Sequence, residues 1–270
     1  MRSTRVADLF YKWDINPFSI VAPLVFLIPI SSFIFFIIVI GISTLYSLIY
    51  TIVLFLVCSL VFYLYFHRNP KRETIHDDRA VLSPADGRIV YIKEIKQGVI
   101  VESVKNKNHM KLTELLDIKD TDVLDTGSSL VTGYIIGIEL RLFDVHITRA
   151  PMSGIKLLDH HVSGRIVSMN NPGFEYINDR ETIVIKQEKN NQNQSKGLLQ
   201  FAVVQIATFI TRTVKSFVKD KTRLKQGEPL GMIRLGSQVD LVIYSKEVDI
   251  LVKQHDRVYA GLTKIAEIKS

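Results

Sequence analysis

The chain has 270 residues, 47% of them hydrophobic, and a formal net charge of +7. That length allows one large domain or two small ones, and the single cysteine, Cys58, excludes an intrachain disulfide and leaves no thiolate cluster for zinc or iron–sulfur. Lys and Arg are interspersed with Asp and Glu and form no aromatic–basic stripe, so the basic balance points to an anionic membrane surface and away from nucleic acid.

Residues 1–16 form a short segment carrying Arg2, Arg5 and Lys12. Residues 17–66 then run without one Asp, Glu, Lys, Arg or His. One membrane crossing needs ~20 apolar residues, so the run can hold two, at 19–40 and 44–66, with a turn at 41–43, a single bent or re-entrant element being the alternative. Arg68, Lys71 and Arg72 follow, and the positive-inside rule puts both flanks of this transmembrane hairpin on the cytoplasmic side of the cell membrane. A basic juxtamembrane linker is expected at 67–80 and one compact domain at 81–270.

That domain reads as mainly β with few short helices. Short β-branched runs at 88–95, 98–104, 134–142, 164–169, 181–187, 199–210, 231–234, 239–244 and 248–253 are expected as strands, separated by Gly, Pro and Asn punctuation. Residues 110–116 read as one helical turn or a surface loop, and 202–218 as a strand followed by a helix. The polar stretch 186–197 reads as an exposed hairpin loop.

Gly236 and Ser237 interrupt the last part of this pattern, in GEPLGMIRLGSQVDLVIY. An interior glycine weakens a strand and marks a place where the backbone is bent or closely approached. A lone Gly-Ser pair says little, but here it belongs to an ordered set: FHRNPKR at 66–72, SPADG at 83–87, FDVHITRAPMSG at 143–154 and GMIRLGSQVD at 231–240, with NDRE at 178–181, QIAT at 205–208 and DRVYAG at 256–261 as weaker elements. In these residues the chain resembles the phosphatidylserine decarboxylase family, specifically its short prokaryotic branch, which includes enzymes acting on archaetidylserine.

The resemblance implies a pyruvoyl-decarboxylase-like β domain that cuts itself between Gly236 and Ser237, leaving a larger β chain and a small α chain. Ser237 Oγ would attack the Gly236 carbonyl, turning the amide into an ester. β-Elimination and loss of ammonia would then leave a covalent pyruvoyl group (pyruvate as cofactor) at the new terminus. Its ketone would take the amine of a serine headgroup and accept the electrons released with CO2. The implied substrate is phosphatidylserine or archaetidylserine at the bilayer, since the motifs address the shared headgroup and not the tails. The related architecture permits a homodimer.

Within that scheme Asp86 belongs to the self-cleavage machinery, although an Asp-Gly at a turn is commonplace on its own. His146 is the preferred base and proton carrier, with a satisfied structural histidine as the bland reading. The longer branch of the family has a second histidine three residues on; here that position is Arg149, which stays protonated and suits a substrate carboxylate or phosphate better. The base for Ser237 is therefore His146, or a histidine such as His160 reaching in from elsewhere, or backbone strain with an oriented Asp86. Asn178 and Arg180 are further substrate-binding candidates. No metal site is expected, because His160 and His161 lack ligand-spaced partners. Two other classes compete: a noncatalytic membrane scaffold that keeps the fold, and a serine peptidase, against which the absence of a GxSxG context around Ser237 argues.

Overall fold

The computed structural model describes residues 17–38, 44–100, 110–116, 132–165, 167–171, 173–187, 199–207, 214–233 and 237–269. The basic residues before position 17, the turn at 41–43, Gly236 and most of the polar 186–197 stretch lie outside them. The chain divides into two compact units, 1–71 and 72–270.

The first unit holds two apolar helices, α1 (Pro17–Ile38, 22 residues) and α2 (Thr44–Phe66, 23 residues). Within α2, Tyr46–Phe66 is long and apolar enough to cross a membrane. Three hydroxyls are satisfied inside the helices: Ser31 and Ser32 Oγ both donate to the Ile28 carbonyl, and Thr51 Oγ1 to that of Ser47. An apolar solvent demands this, because it offers no partner of its own. The pair is consistent with the expected hairpin.

The second unit is built mainly of β-strands. In chain order these are β1 (Ala80–Leu82), β2 (Gly87–Lys96), β3 (Val99–Ile100), β4 (Met110–Lys111), β5 (Gly133–Leu140), β6 (Ile147–Arg149), β7 (Gly154–Val162), β8 (Arg180–Gln187) and β9 (Gln200–Ala207), followed by β10 (Val214–Ser216), β11 (Arg223–Leu224), β12 (Pro229–Ile233), β13 (Ser237–Ile243), β14 (Val248–Ile250), β15 (Arg257–Val258) and β16 (Lys264–Ile268). Two short helices, α3 (Leu112–Leu116) and α4 (Phe174–Ile177), complete it.

Among the described residues, ten strands form one antiparallel sheet in the order β11-β7-β8-β9-β13-β5-β2-β3-β4, with β15 also on β2. Two three-stranded sheets, β1-β16-β14 and β10-β12-β6, accompany it. One face of the long sheet packs with these small sheets in the main core, which includes Ile138, Val203, Leu241, Leu230, Ile233 and Ala266. The other face, with Ile135, Val204 and Val242, is covered by Leu112, Leu115 and Leu116 of α3 and Phe174 of α4.

Most expected strands are present, but three differences are informative. Among the described residues of 164–169 there is no strand; Arg165 makes a single bridge to Asn178, and the long neighbouring strand is β7, just upstream. The motif LLDHHV hides β7 because its burial hardly alternates, so the period-2 signal fails there. Residues 214–216 are strand β10 and not helix, since pairing with β12 overrides the weak local pattern. The third is β13, which begins at Ser237 itself and not two residues later.

β13 lies between β9 and β5 and is buried along its whole length. Its polar residues therefore need partners. On the helix-covered face Asp240 is fully buried; Tyr91 donates its hydroxyl to the carboxylate at 2.6 Å and Gln238 donates its amide at 2.7 Å. Gln238 also donates to the Tyr91 hydroxyl, at 3.0 Å. Burial pushes the Asp240 carboxyl up to about 7, with the Tyr91 and Gln238 hydrogen bonds pulling the other way.

A carboxyl raised on folding binds its proton more tightly in the native state, so its contribution to stability is lost as pH rises from about 4 to about 7. Asp240→Asn, which imitates the protonated acid, is expected to flatten that pH dependence and to be more stable than wild type at pH 8, by an amount on the order of a few kcal/mol. Unfolding of the full chain in detergent between pH 5 and pH 8 measures it. Equal slopes in both proteins would show that Asp240 does not titrate in this window.

Candidate active site

Ser237 is the first residue of β13, paired with Leu140 on one side and Ala207 on the other. Strand alternation puts its side chain on the face of Val239 and Leu241, toward the main core and the small sheets. The residue is fully buried, and its Oγ meets no hydrogen-bond partner among the described residues. Burying a hydroxyl in this way costs about 1–3 kcal/mol. A fold keeps such a group only if something other than stability requires it.

The segment after Leu140 turns sharply: Asp144 N–H donates to the Arg141 carbonyl and Arg141 N–H to Asp144 Oδ2. Arg257, from DRVYAG, pairs with the same Asp144 carboxylate and fixes the turn from outside. This delivers His146, fully buried, to the start of β6. Its main-chain carbonyl accepts the N–H of Ile233 at 3.1 Å, and Ile233 is the last residue of β12, from which the chain continues through 234–236 to Ser237. Both ends of that connection are thus held beside the 141–146 turn.

The His146 ring is oriented as well as placed. Nδ1 lies 2.8 Å from the Asp144 carbonyl oxygen. A carbonyl only accepts, so Nδ1 carries the proton, and in the neutral ring Nε2 keeps the lone pair. That is the tautomer a general base needs, here set by a main-chain carbonyl in the position that a carboxylate occupies in a serine triad.

Asp86 is fully buried and held on both oxygens by Arg72, at 2.6 and 2.8 Å, while the Ala260 N–H donates to Oδ1 at 2.7 Å. FHRNPKR, SPADG and DRVYAG therefore meet at one ion pair. In sequence Arg72 reads as part of the basic flank that follows the apolar run, but it is held inside the second unit, with its side chain 3% exposed.

Arg149 is buried on β6, with its N–H donated to the Pro84 carbonyl and its Nη1 to Gly227. Gly227 adopts φ +77°, and a Cβ there would fall 2.2 Å from Thr74 Oγ1, so the turn that receives Arg149 requires glycine. Gly87 is needed for a different reason: a Cβ would sit 2.3 Å from the Glu139 carbonyl oxygen.

Three candidates are placed elsewhere. Asn178 uses both ends of its amide on Val167, accepting its N–H and donating to its carbonyl. Arg180 donates to the carbonyls of Leu115 and Tyr176, tying down the two short helices. Through Ile206 it aligns with Gln238, which puts its side chain on the face opposite Ser237. His160 aligns through Thr182 and Val204 with Asp240, also on that opposite face and three strands from β13, about 14 Å away at the usual strand spacing. The strand register separates it from Ser237. Among the described residues no cluster of His, Cys, Asp and Glu is arranged to hold a metal ion.

Sequence reasoning missed the use of Arg72, the anchoring of His146 by Asp144, and Gln205 in QIAT. Gln205 had one available signal: a polar residue in the middle of an otherwise apolar strand, FAVVQIA.

The chain thus combines an apolar helix pair with a β domain that buries Ser237 at the start of one strand and an oriented His146 at the start of another. The sequence profile described as phosphatidylserine decarboxylase matches residues 60–266. A phosphatidylserine decarboxylase proenzyme of Carboxydothermus hydrogenoformans is 32% identical over 209 residues, covering 77% of this chain and 81% of that protein. A Methanocaldococcus jannaschii protein, provisionally named an archaetidylserine decarboxylase proenzyme, is 34% identical over 212 residues, covering 78% of this chain and 92% of its own. The chain belongs to the phosphatidylserine decarboxylase family, in the short prokaryotic branch that includes the archaetidylserine proteins.

Removing one partner of a buried ion pair leaves the other charge uncompensated, at a cost of about 3–5 kcal/mol. Arg72→Met is expected to destabilise the second unit by that amount, and Arg72→Met combined with Asp86→Asn to recover most of it. Thermal unfolding of the two full-chain variants in detergent provides the comparison; a single variant as stable as wild type would remove the pair from the account.

Proposed function

We propose that this chain is a self-processing, membrane-bound decarboxylase of a phosphoserine-headed lipid, producing the ethanolamine lipid and CO2. The observation that carries the reading is the buried Ser237 hydroxyl, unpartnered among the described residues, at the start of a fully buried strand. Membership of the family and the similarity to named proenzymes support it.

In the proposed maturation, His146 Nε2 takes the Ser237 Oγ proton as Oγ attacks the carbonyl carbon of Gly236. The C–N bond to residue 237 breaks, leaving an ester and a free amine. Removal of the Ser237 Cα proton expels the Gly236 carboxylate from Cβ, and the resulting enamine tautomerises to an imine. Water then replaces nitrogen as ammonia, and the ketone remains on the 237–270 chain. Atoms and charges balance without an outside oxidant. An unpartnered hydroxyl in an apolar setting suits the conversion, because the finished group has no hydrogen left to donate.

Once formed, that group supplies an electron sink for the carbanion left when CO2 departs. In this reading His146 returns a proton to the substrate carbon. Arg149 offers its guanidinium to the carboxylate or phosphate of the headgroup, with Gly227 holding its other edge. Asp86, neutralised by Arg72, fixes the Pro84 region on which the Arg149 backbone rests. Asn178 and Arg180 enter as supports of the wall around the site. The helix pair would hold the catalytic domain at the cytoplasmic surface, where its substrate lies.

Ser237→Ala is expected to remain one chain, and His146→Ala to process slowly and to turn over at least about 100-fold more slowly once cut, the lower end of general-base contributions. Gel migration against time and CO2 release from serine-lipid vesicles are the measurements. A Ser237→Ala chain that is still cut would remove Ser237 from the cleavage, and an uncut wild-type chain would favour a noncatalytic scaffold.

A further inference from the structure

Gln205 is fully buried in the middle of β9, and neither end of its amide meets a hydrogen-bond partner among the described residues. Both a donor and an acceptor are therefore withheld from water, the costly arrangement that native proteins avoid. Position makes the residue more than an anomaly. Ser237 pairs with Ala207 and Val239 with Gln205, so Ser237 and Gln205 project from the same face of adjacent strands as diagonal neighbours, roughly 7–8 Å apart at the backbone. A Gln side chain is long enough to cover most of that interval, yet Ser237 Oγ and the Gln205 amide both lack a partner and do not bond each other. Two unpaired polar ends thus sit on one face of the sheet, within a side chain's reach of each other.

The surroundings say what kind of group would pair with them. The neighbours on that face of the long sheet are Val203, Val239 and Ile138, all apolar, while Glu181 lies directly across from Gln205 on β8. The small sheet carrying β12 and β10 packs over β9 on this side. An amide set between apolar neighbours on one side and the buried Glu181 carboxyl on the other discriminates strongly, because a ligand lacking the matching groups leaves it unpaired. Nε2 can donate two hydrogen bonds and Oε1 accept two.

The geometry points to Gln205 as a specificity-determining contact for the headgroup, with Nε2 donating to the α-carboxylate of the serine moiety and Oε1 accepting from its amine. This rests on the decarboxylase reading and deepens it: Gln205 is a headgroup reader and takes no part in self-cleavage. Recognition and reactivity are thereby divided between two strands, Ser237 on β13 and Gln205 on β9.

Gln205→Met, of similar length and apolar, tests the assignment in the full chain. Four results are expected. The variant is cut like wild type and its small chain reacts with hydroxylamine. Its melting temperature is equal to or above that of wild type, because two unpaired polar groups have been replaced by carbon and sulfur. Its kcat/KM on serine-lipid vesicles falls by about tenfold or more, the loss of a hydrogen bond to a charged group. Finally, with the ketone first reduced by borohydride so that no turnover competes, phospho-L-serine raises the melting temperature of wild type more than that of the variant, whereas phosphoethanolamine, which lacks the carboxylate, does not distinguish them.

A processed variant with kcat/KM within twofold of wild type overturns the proposal. So does a lower melting temperature, which would make the amide a satisfied structural group, and so does failure of the variant to be cut, which would move Gln205 into maturation. Wild-type protein that is itself uncut would instead sink the decarboxylase reading, a separate outcome.

Discussion

A central strand buried on both faces tolerates a polar atom only at a cost, and β13 carries three polar side chains in its first four residues. Two of them, Gln238 and Asp240, are reconciled with the interior by Tyr91 on one face of the sheet. The third, Ser237, is left on the other face without a partner among the described residues. The same strand thus shows what a structural solution to polar burial looks like and, one residue away, what its absence looks like. Everything proposed about chemistry follows from that contrast.

The elements around Ser237 are arranged to hold positions and not to satisfy its hydroxyl. Leu140 and Ala207 fix its backbone from both sides, the Ala207 N–H reaches the carbonyl of Asp179 in NDRE, and the turn after Leu140 brings His146 against the end of β12. Behind this, the Arg72–Asp86 pair and the Ala260 N–H join three segments that are far apart in the chain. Such ion pairs are weak sources of net stability, but they are specific about geometry, and an arginine fork on a carboxylate leaves little rotational freedom. Precision at the site is bought with these buried polar contacts.

Much of this was readable in advance for physical reasons, and the rest was hidden for equally physical ones. The apolar block at 17–66 announces its helices because a membrane-length run without charge has few other uses. Strands β2, β5, β8 and β13 show themselves through β-branched runs bounded by turn residues. β7 does not, because its half-exposed residues carry histidines and an aspartate where alternation would otherwise show. At the site, Ser237 and His146 stand out through their motifs. The burial of Arg72 could not be read locally, since a basic residue after a membrane helix looks the same whether it faces headgroups or a carboxylate fourteen residues on. For the same reason Asn178 and Arg180 looked like ligand contacts: polar residues that clamp backbone carbonyls cannot be told from residues that clamp a substrate until the register is known.

The central claim is that the Ser237 backbone becomes the reactive group, and the mass of the small chain tests it most directly. Purified active protein should yield a fragment spanning 237–270 that is lighter by one ammonia than the same peptide with an ordinary serine terminus, and that gains two hydrogens on borohydride treatment. A fragment with an intact serine amine, or activity from a chain that has never been cut, would contradict the account.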